Sequence, residues 1–210
     1  MFLTVNVFND SHPSYWHKNI GGYSPAKLQL YQEYIDKHIA PDISALNKAI
    51  AGAATVSEAQ EAAPYLESLA KLNCRYIILG EDNPPLVYKY ARGNAWFQDD
   101  SSSIELTAYT PDRLTYKYSS STGGRAVFSE VYYPAGWVAS LEDGTELSIE
   151  LYDDILRSIV LPAGEHELVM SFEPASYARG EAISRACSIL LILLVLTSAA
   201  LPAVLAAKRA

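Results

Sequence analysis

Arg113-Leu114-Thr115-Tyr116-Lys117-Tyr118-Ser119 alternates apolar and polar side chains with a period of two. A strand turns successive side chains to opposite faces, so Leu114, Tyr116 and Tyr118 share one face, and Thr115 and Lys117 the other. The pattern recurs on either side, at Ile104/Leu106/Ala108 before it and at Leu147/Ile149/Leu151 and Leu168/Met170/Phe172 after it. Turn-forming residues separate the runs: Pro111-Asp112, Ser119 to Gly124, Pro134-Ala135-Gly136, Asp143-Gly144 and Pro162-Ala163-Gly164. Asp143-Gly144 is the strongest hairpin signal, because a two-residue turn needs positive φ at both central positions. Arg75 to Leu79 reads as a short buried strand, and Leu86 to Tyr90 as another extended segment beyond the loop Gly80 to Pro85. Short strands at this spacing predict an antiparallel β-sandwich of jelly-roll or Ig-like type over residues 74–174.

Upstream, the period changes to that of helices. Ser24 is placed to cap a helix with Pro25 at its first position. Leu28, Tyr31, Ile35 and Ile39 then recur at helical spacing until Pro41 stops it. A second helix starts at Ile43, with Leu46 and Ile50 on one face and Gly52 at its end. Thr55 and Glu58 fit a capping box, with Ser57 competing for the cap, and Pro64 starts a short helix carrying Tyr65, Leu66, Leu69 and Leu72. Phe2 to Phe8 alternates as a strand. The fold class is therefore α+β, with residues 1–73 forming an N-terminal strand, loop and helical subdomain packed on the sandwich.

The C-terminal part obeys a different rule. Ala186 to Ala207 is a run of 22 residues without a charge, and ~20 apolar residues cross the ~30 Å of bilayer hydrocarbon. A core helix apolar all round for six turns does not suit so small a protein, so 186–207 reads as one transmembrane helix, with 175–185 as linker and 208–210 as tail. Arg179 and Arg185 precede the span and Lys208 and Arg209 follow it, so basic residues alone give little orientation. The N-terminus lacks the basic and apolar regions of a signal peptide. The chain thus reads either as tail-anchored with a cytoplasmic domain or as the C-terminal piece of something longer.

Composition narrows the function. Half the residues are hydrophobic and 15 are tyrosine, which excludes disorder over most of the length. Residues 1–181 carry a net charge of −11, while 182–210 carry +3. An acidic body opposes binding to a phosphate backbone, so nucleic acid is not an expected partner. Cys74 and Cys187 are too few and too far apart for a disulfide framework or a four-ligand zinc site, and both read as free thiols.

Catalytic candidates are few. His12 and His17 flank a loop without a Cys or carboxylate pair to complete a metal set. His38 falls near a helix end and suits a capping role, while His166 alternates inward with Leu168. The pairs Glu81-Asp82, Asp99-Asp100 and Asp153-Asp154 read as solvated loop ends. No phosphate-binding loop or nucleophile motif is present. No catalytic residue, metal site or cofactor is expected.

Two segments stand out. One is the polar, aromatic loop from Asn9 to Tyr23, with Tyr15, Trp16, His17 and Tyr23; the other is Tyr132-Tyr133-Pro134-Ala135-Gly136-Trp137. Aromatic rings stack on sugars, and loops carry function disproportionately. Tyr15, Trp16, His17, Tyr23 and Trp137 are therefore the candidate glycan-binding residues, against the alternative that both segments are packed aromatic seams between helices and sandwich.

These segments also carry a resemblance. Asn9-Asp10-Ser11, Tyr15-Trp16-His17-Lys18 and Ile20-Gly21-Gly22-Tyr23, running into Ala26-Lys27-Leu28 and Tyr31-Gln32, are similar to the C-terminal region of Bacteroidetes YfhO-family membrane proteins. So are Arg92-Gly93-Asn94-Ala95-Trp96-Phe97, Phe128-Ser129-Glu130-Val131-Tyr132-Tyr133-Pro134 with Gly136-Trp137, and Leu156-Arg157 before Pro162-Ala163-Gly164-Glu165-His166. The resemblance covers nearly all of residues 1–207. Members are large polytopic proteins that resemble lipid-linked-sugar glycosyltransferases of the GT-C type. Their expected catalytic acid lies in an early extracytoplasmic loop that nothing here matches. The resemblance implies a non-catalytic extracytoplasmic domain plus last transmembrane helix, in a bacterial inner membrane with the C-terminus cytoplasmic. It further implies an upstream membrane core as partner, beside the bilayer and an envelope glycan that the domain binds or positions. A structural module that packs on that core without binding sugar is the alternative.

Overall fold

The computed structural model describes residues 7–9, 11–80, 83–99 and 102–207. Its helical part comprises α1 (His12–Trp16), α2 (Gln29–Tyr34), a π-helical turn (Ile35–Ile39), α3 (Ala40–Ile50), α4 (Val56–Ala62) and α5 (Glu67–Lys71). The strands are β1 (Tyr76–Ile77), β2 (Leu86–Val87), β3 (Ala95–Phe97), β4 (Ser103–Thr110), β5 (Arg113–Ser120) and β6 (Gly124–Val131). They continue with β7 (Trp137–Leu141), β8 (Glu146–Leu147), β9 (Glu150–Tyr152), β10 (Leu156–Leu161) and β11 (Gly164–Phe172), before the last helix α6 (Ala175–Ala207). Three antiparallel sheets result: β1-β2, β3-β6-β10-β9 and β4-β5-β11-β7-β8.

Leu114, Tyr116 and Tyr118 of β5 are buried as their spacing predicts. Antiparallel register sets Tyr116 against Leu168 and Leu114 against Met170 on β11. All five join Phe97, Phe128, Ile159 and Leu161 of the four-stranded sheet in one buried cluster. β6 and β10 face two ways. Val127 and Leu156, with Ile155 beside them, join Ile39, Leu46, Ile50, Leu66 and Leu69 of the helices in a second cluster. The four-stranded sheet therefore lies between the helices and the five-stranded sheet. This two-sided burial explains why Leu156–Leu161 carries no period-two signal: an all-buried strand reads as a continuous run rather than an alternation.

Several local expectations are corrected. Pro41 does not end a helix. Ala40 N–H donates to Ile35 O across the π turn, and Pro41 sits in the first turn of α3, where its missing N–H breaks no hydrogen bond. The chain is therefore helical from Gln29 to Ile50, which leaves His38 mid-helix with its ring 4.7 Å from that of Tyr34 rather than at a terminus. Ser24 caps nothing, because helix α2 begins at Gln29. Pro64 likewise stands ahead of α5, which starts at Glu67. Thr55 does cap α4: its hydroxyl accepts Glu58 N–H at 3.2 Å, while Glu58 reaches back to Ala54 N–H at 2.9 Å. Tyr76 and Ile78, expected in a buried strand, are exposed, since a two-stranded ribbon packed on the helices covers only one of its faces. Leu147 and Leu151 fall on separate strands, β8 in one sheet and β9 in the other.

The hairpin signals exchange roles. At Asp143-Gly144 only Gly144 has positive φ, and Gly144 N–H donates to Leu141 O, so the turn is a three-residue type with Gly144 as its left-handed residue. Two consecutive positive φ values occur instead at Asp153-Asp154, 50° and 64°, in the loop between the paired Tyr152 and Leu156. Asp153 is held there by Lys71, a buried lysine that also meets Glu67 at 2.6 Å. Burial lowers the pKa of Lys71, but the hydrogen bonds to Asp153 and Glu67 outweigh it and the net shift is upward. One carboxylate pair is thus a turn and a clamp between helices and sheet. The strand expected at Phe2 to Phe8 lies largely outside the described residues, as do Glu81-Asp82, Asp100 and the 208–210 tail; Val7 to Asn9 form a turn.

α6 is long and apolar enough to cross a membrane. Its 33 residues rise about 50 Å, and every described side chain from Ala175 to Ser198 is exposed. Residues 175–185, expected as linker, are its first turns, steadied by Arg185 on Glu181 at 2.5 Å. Only Glu173 and Pro174 separate the helix from β11.

The Tyr116 hydroxyl is buried with no hydrogen-bond partner among the described residues, and burial pushes its pKa up. An unpaired buried hydroxyl costs about 1–3 kcal/mol. Tyr116→Phe should therefore raise the stability of the full chain in detergent by about 1 kcal/mol, read by chemical denaturation. A loss instead would mean that the hydroxyl holds a buried water.

Candidate functional site

The two aromatic segments take different forms. α1 and the loop after it carry Tyr15 and Trp16, 79% and 68% exposed, with rings 4.7 Å apart and nearly perpendicular. His17 and Tyr23 are exposed too. The loop is tied down behind them: Gly22 N–H donates to Val7 O at 2.6 Å, Gly21 N–H to Asn19 Oδ1 at 3.0 Å, and the Tyr31 hydroxyl to Ile20 O. Lys18 reaches across to β4, its Nζ 3.0 Å from the centre of the Tyr109 ring. Four of the five sequence candidates thus stand on an exposed loop, and the fifth, Trp137, sits elsewhere.

Trp137 lines a cleft of about 270 Å³. Tyr132, Tyr133 and Pro134 of the β6–β7 connection form one side, with Val138 beside Trp137; Glu146 to Ile149, on β8 and the crossover to β9, form the other. Trp137 is braced from behind. The Arg157 guanidinium lies 4.0 Å from its ring centre, and Phe172 packs at 5.3 Å. Gly136 makes the turn possible: its φ is +96°, and a Cβ there would meet Phe172 and Pro174 at 2.9 Å. Because Phe172 is three residues from α6, the cleft lies at the end of the sheets from which that helix departs.

Arg157 is 4% exposed, and its Nε donates to Val131 O at 3.1 Å. Nη1 has no partner among the described residues. Burial pushes the guanidinium below its ordinary pKa, against the pull of Glu130. Burial likewise raises Glu130, while Arg157 and Lys18 favour its ionised form. β10 shifts register against β6 between Leu156 and Arg157, so Ser129 and Glu130 have no opposite number, and such bulges re-aim side chains. Arg157, Glu130, Glu146 and Ser148 are not among the five candidates that the sequence offers. The available signal was Arg157-Ser158 inside an otherwise apolar run.

A broader trough lies toward the other end of β11. Glu105, Lys117 and Glu167 form one cross-strand row there, and His166 Nδ1 lies 2.8 Å from Glu142. The hydrogen bond with Glu142 raises the His166 pKa, and the same bond lowers that of Glu142. A group whose folded pKa is raised contributes stability that is full below its unfolded pKa and is lost as pH rises through the folded one; a lowered carboxylate contributes stability that is full above its unfolded pKa and is lost as pH falls through the folded one. The pair therefore supports the fold between those limits. Melting temperature should decline as pH rises from about 6 to 8, and Glu142→Gln should flatten that decline. His166 is half-buried on the central strand β11, beside Tyr118, rather than turned fully inward.

Among the described residues, no group of three or more His, Cys, Asp or Glu is placed to hold a metal ion. The cleft offers hydroxyls, aromatic rings and one carboxylate. Such a lining can stack on and hydrogen-bond to a small polar molecule. Comparison with known proteins finds no matching family model, no matching curated protein and no matching solved structure.

Proposed function

We propose that this chain is a non-catalytic, membrane-anchored domain that binds or positions a glycan acceptor close to the bilayer. The observation that carries the reading is the cleft of Tyr132, Tyr133 and Trp137 with Glu146 and Ser148, at the end of the sheets from which α6 leaves. Rings stack on the apolar faces of sugars, the hydroxyls donate to and accept from sugar hydroxyls, and the carboxylate accepts from them. In this reading the two large sheets form a β-sandwich of jelly-roll or Ig-like type. α6 spans a bacterial inner membrane with the body extracytoplasmic and the C-terminus cytoplasmic. The chain then serves envelope-polymer glycosylation as the C-terminal part of a YfhO-like protein, beside an upstream membrane core. The test is glycan binding by the full chain in lipid nanodiscs. Wild type should bind a saccharide that Trp137→Ala does not; equal binding by both would overturn the role of the cleft.

A second reading is favoured by the exposure of Tyr15 and Trp16 on the α1 loop: an interaction module that docks on a membrane core or partner protein without binding sugar. It expects Tyr15→Ser/Trp16→Ser to release the partner and leave no glycan binding to lose.

A further inference from the structure

Resting on the glycan reading above, we infer that the cleft selects an amino sugar, with the ligand's ammonium held at Glu146. Glu146 is the one charged residue among those lining the cleft, and it is exposed, without an ion pair among the described residues. The side opposite it carries two tyrosines, Tyr132 and Tyr133, and the faces of such rings attract cations. Aromatic rings with one carboxylate are the chemistry that recognises an ammonium group.

Trp137 takes a different part in that arrangement. One face of its ring already carries a cation, with Arg157 at 4.0 Å, so a second cation stacked on the indole would meet repulsion. The ammonium is therefore placed at Glu146 and the tyrosines, and Trp137 is left to the apolar face of the sugar ring. Arg157 does not make the cleft a site for anions. It is buried, its Nε is bound to Val131 O, and its charge faces Glu130. An acidic sugar would bring its carboxylate to Glu146 in a chain of net charge −8. A volume of about 270 Å³ lies just below the range for drug-sized ligands, so it suits one sugar residue at a time.

The experiment compares methyl glycosides of glucosamine, glucose and glucuronic acid on the full chain in nanodiscs, at about pH 6, where the amine is protonated and carboxylates are ionised. Dissociation constants are read by NMR titration. Glucosamine should bind about tenfold tighter than glucose, with glucuronic acid weakest. Glu146→Gln should erase the preference while glucose binding persists. Equal affinity for glucose and glucosamine, or a preference that survives Glu146→Gln, overturns the inference and leaves the glycan reading standing. Binding of none of the three overturns the glycan reading and this inference with it.

Discussion

Arg157→Ala should destabilise the full chain by about 3 kcal/mol and abolish ligand binding in the cleft. Three losses combine. Glu130, whose pKa burial already raises, loses the Arg157 charge that favours its ionised form. The Val131 carbonyl loses the Nε donor, and Trp137 loses the group that braces one face of its ring. Removing the cation that offsets a partly buried carboxylate leaves that charge poorly compensated by water. Adding Glu130→Gln should therefore recover about 1 kcal/mol of the stability without restoring the brace behind Trp137. Denaturation of the single and double variants in detergent reads both terms. A single-variant loss under about 1 kcal/mol, or a double variant no better than the single, would show that Glu130 and Arg157 are solvated independently.

Phe128→Ala should cost about 3–5 kcal/mol, the largest effect of a single truncation expected in this fold. Phe128 is fully buried and packs edge-on against Tyr116 at 5.0 Å, in the cluster shared by both large sheets. Its neighbour Val127 points to the helices instead, so Val127→Ala makes a smaller cavity on the opposite face of the same strand. If the two sheets share one core, Phe128→Ala lowers the denaturation midpoint of the sheets as a unit. A loss comparable to that of Val127→Ala would mean that the inter-sheet core relaxes to fill the space.

How far these features can be read from sequence depends on how many faces of an element are buried. β5 and β11 have one face in the core and the other toward solvent, so Leu114/Tyr116/Tyr118 and Leu168/Met170 announce themselves by period. β10 is covered on both sides and loses that signal. Turn chemistry is legible in type more than in detail: Asp143-Gly144 marks a hairpin, yet the turn with two positive φ values is Asp153-Asp154, stabilised in part by a lysine 82 residues away. Pro41 misleads because a π turn, invisible in residue pattern, lets the helix continue past it.

The site divides in the same way. Trp137 is legible as an aromatic at a strand end, but its partners come from separate segments: Arg157 from β10, Phe172 from β11 and Glu146 from β8. No local pattern couples them, and only the register of the sheets brings them to one place. Tyr15, Trp16, His17 and Tyr23 are legible as a dense aromatic loop, yet exposure on a loop does not by itself make a concave site.

The most direct test of the account is photolabelling of the full chain in nanodiscs with a diazirine-bearing glucosamine glycoside, followed by mapping of the labelled peptides. The account predicts adducts between Tyr132 and Ile149 that excess unlabelled glycoside competes away. Adducts confined to residues 11–23, or labelling that competitor leaves unchanged, would contradict it.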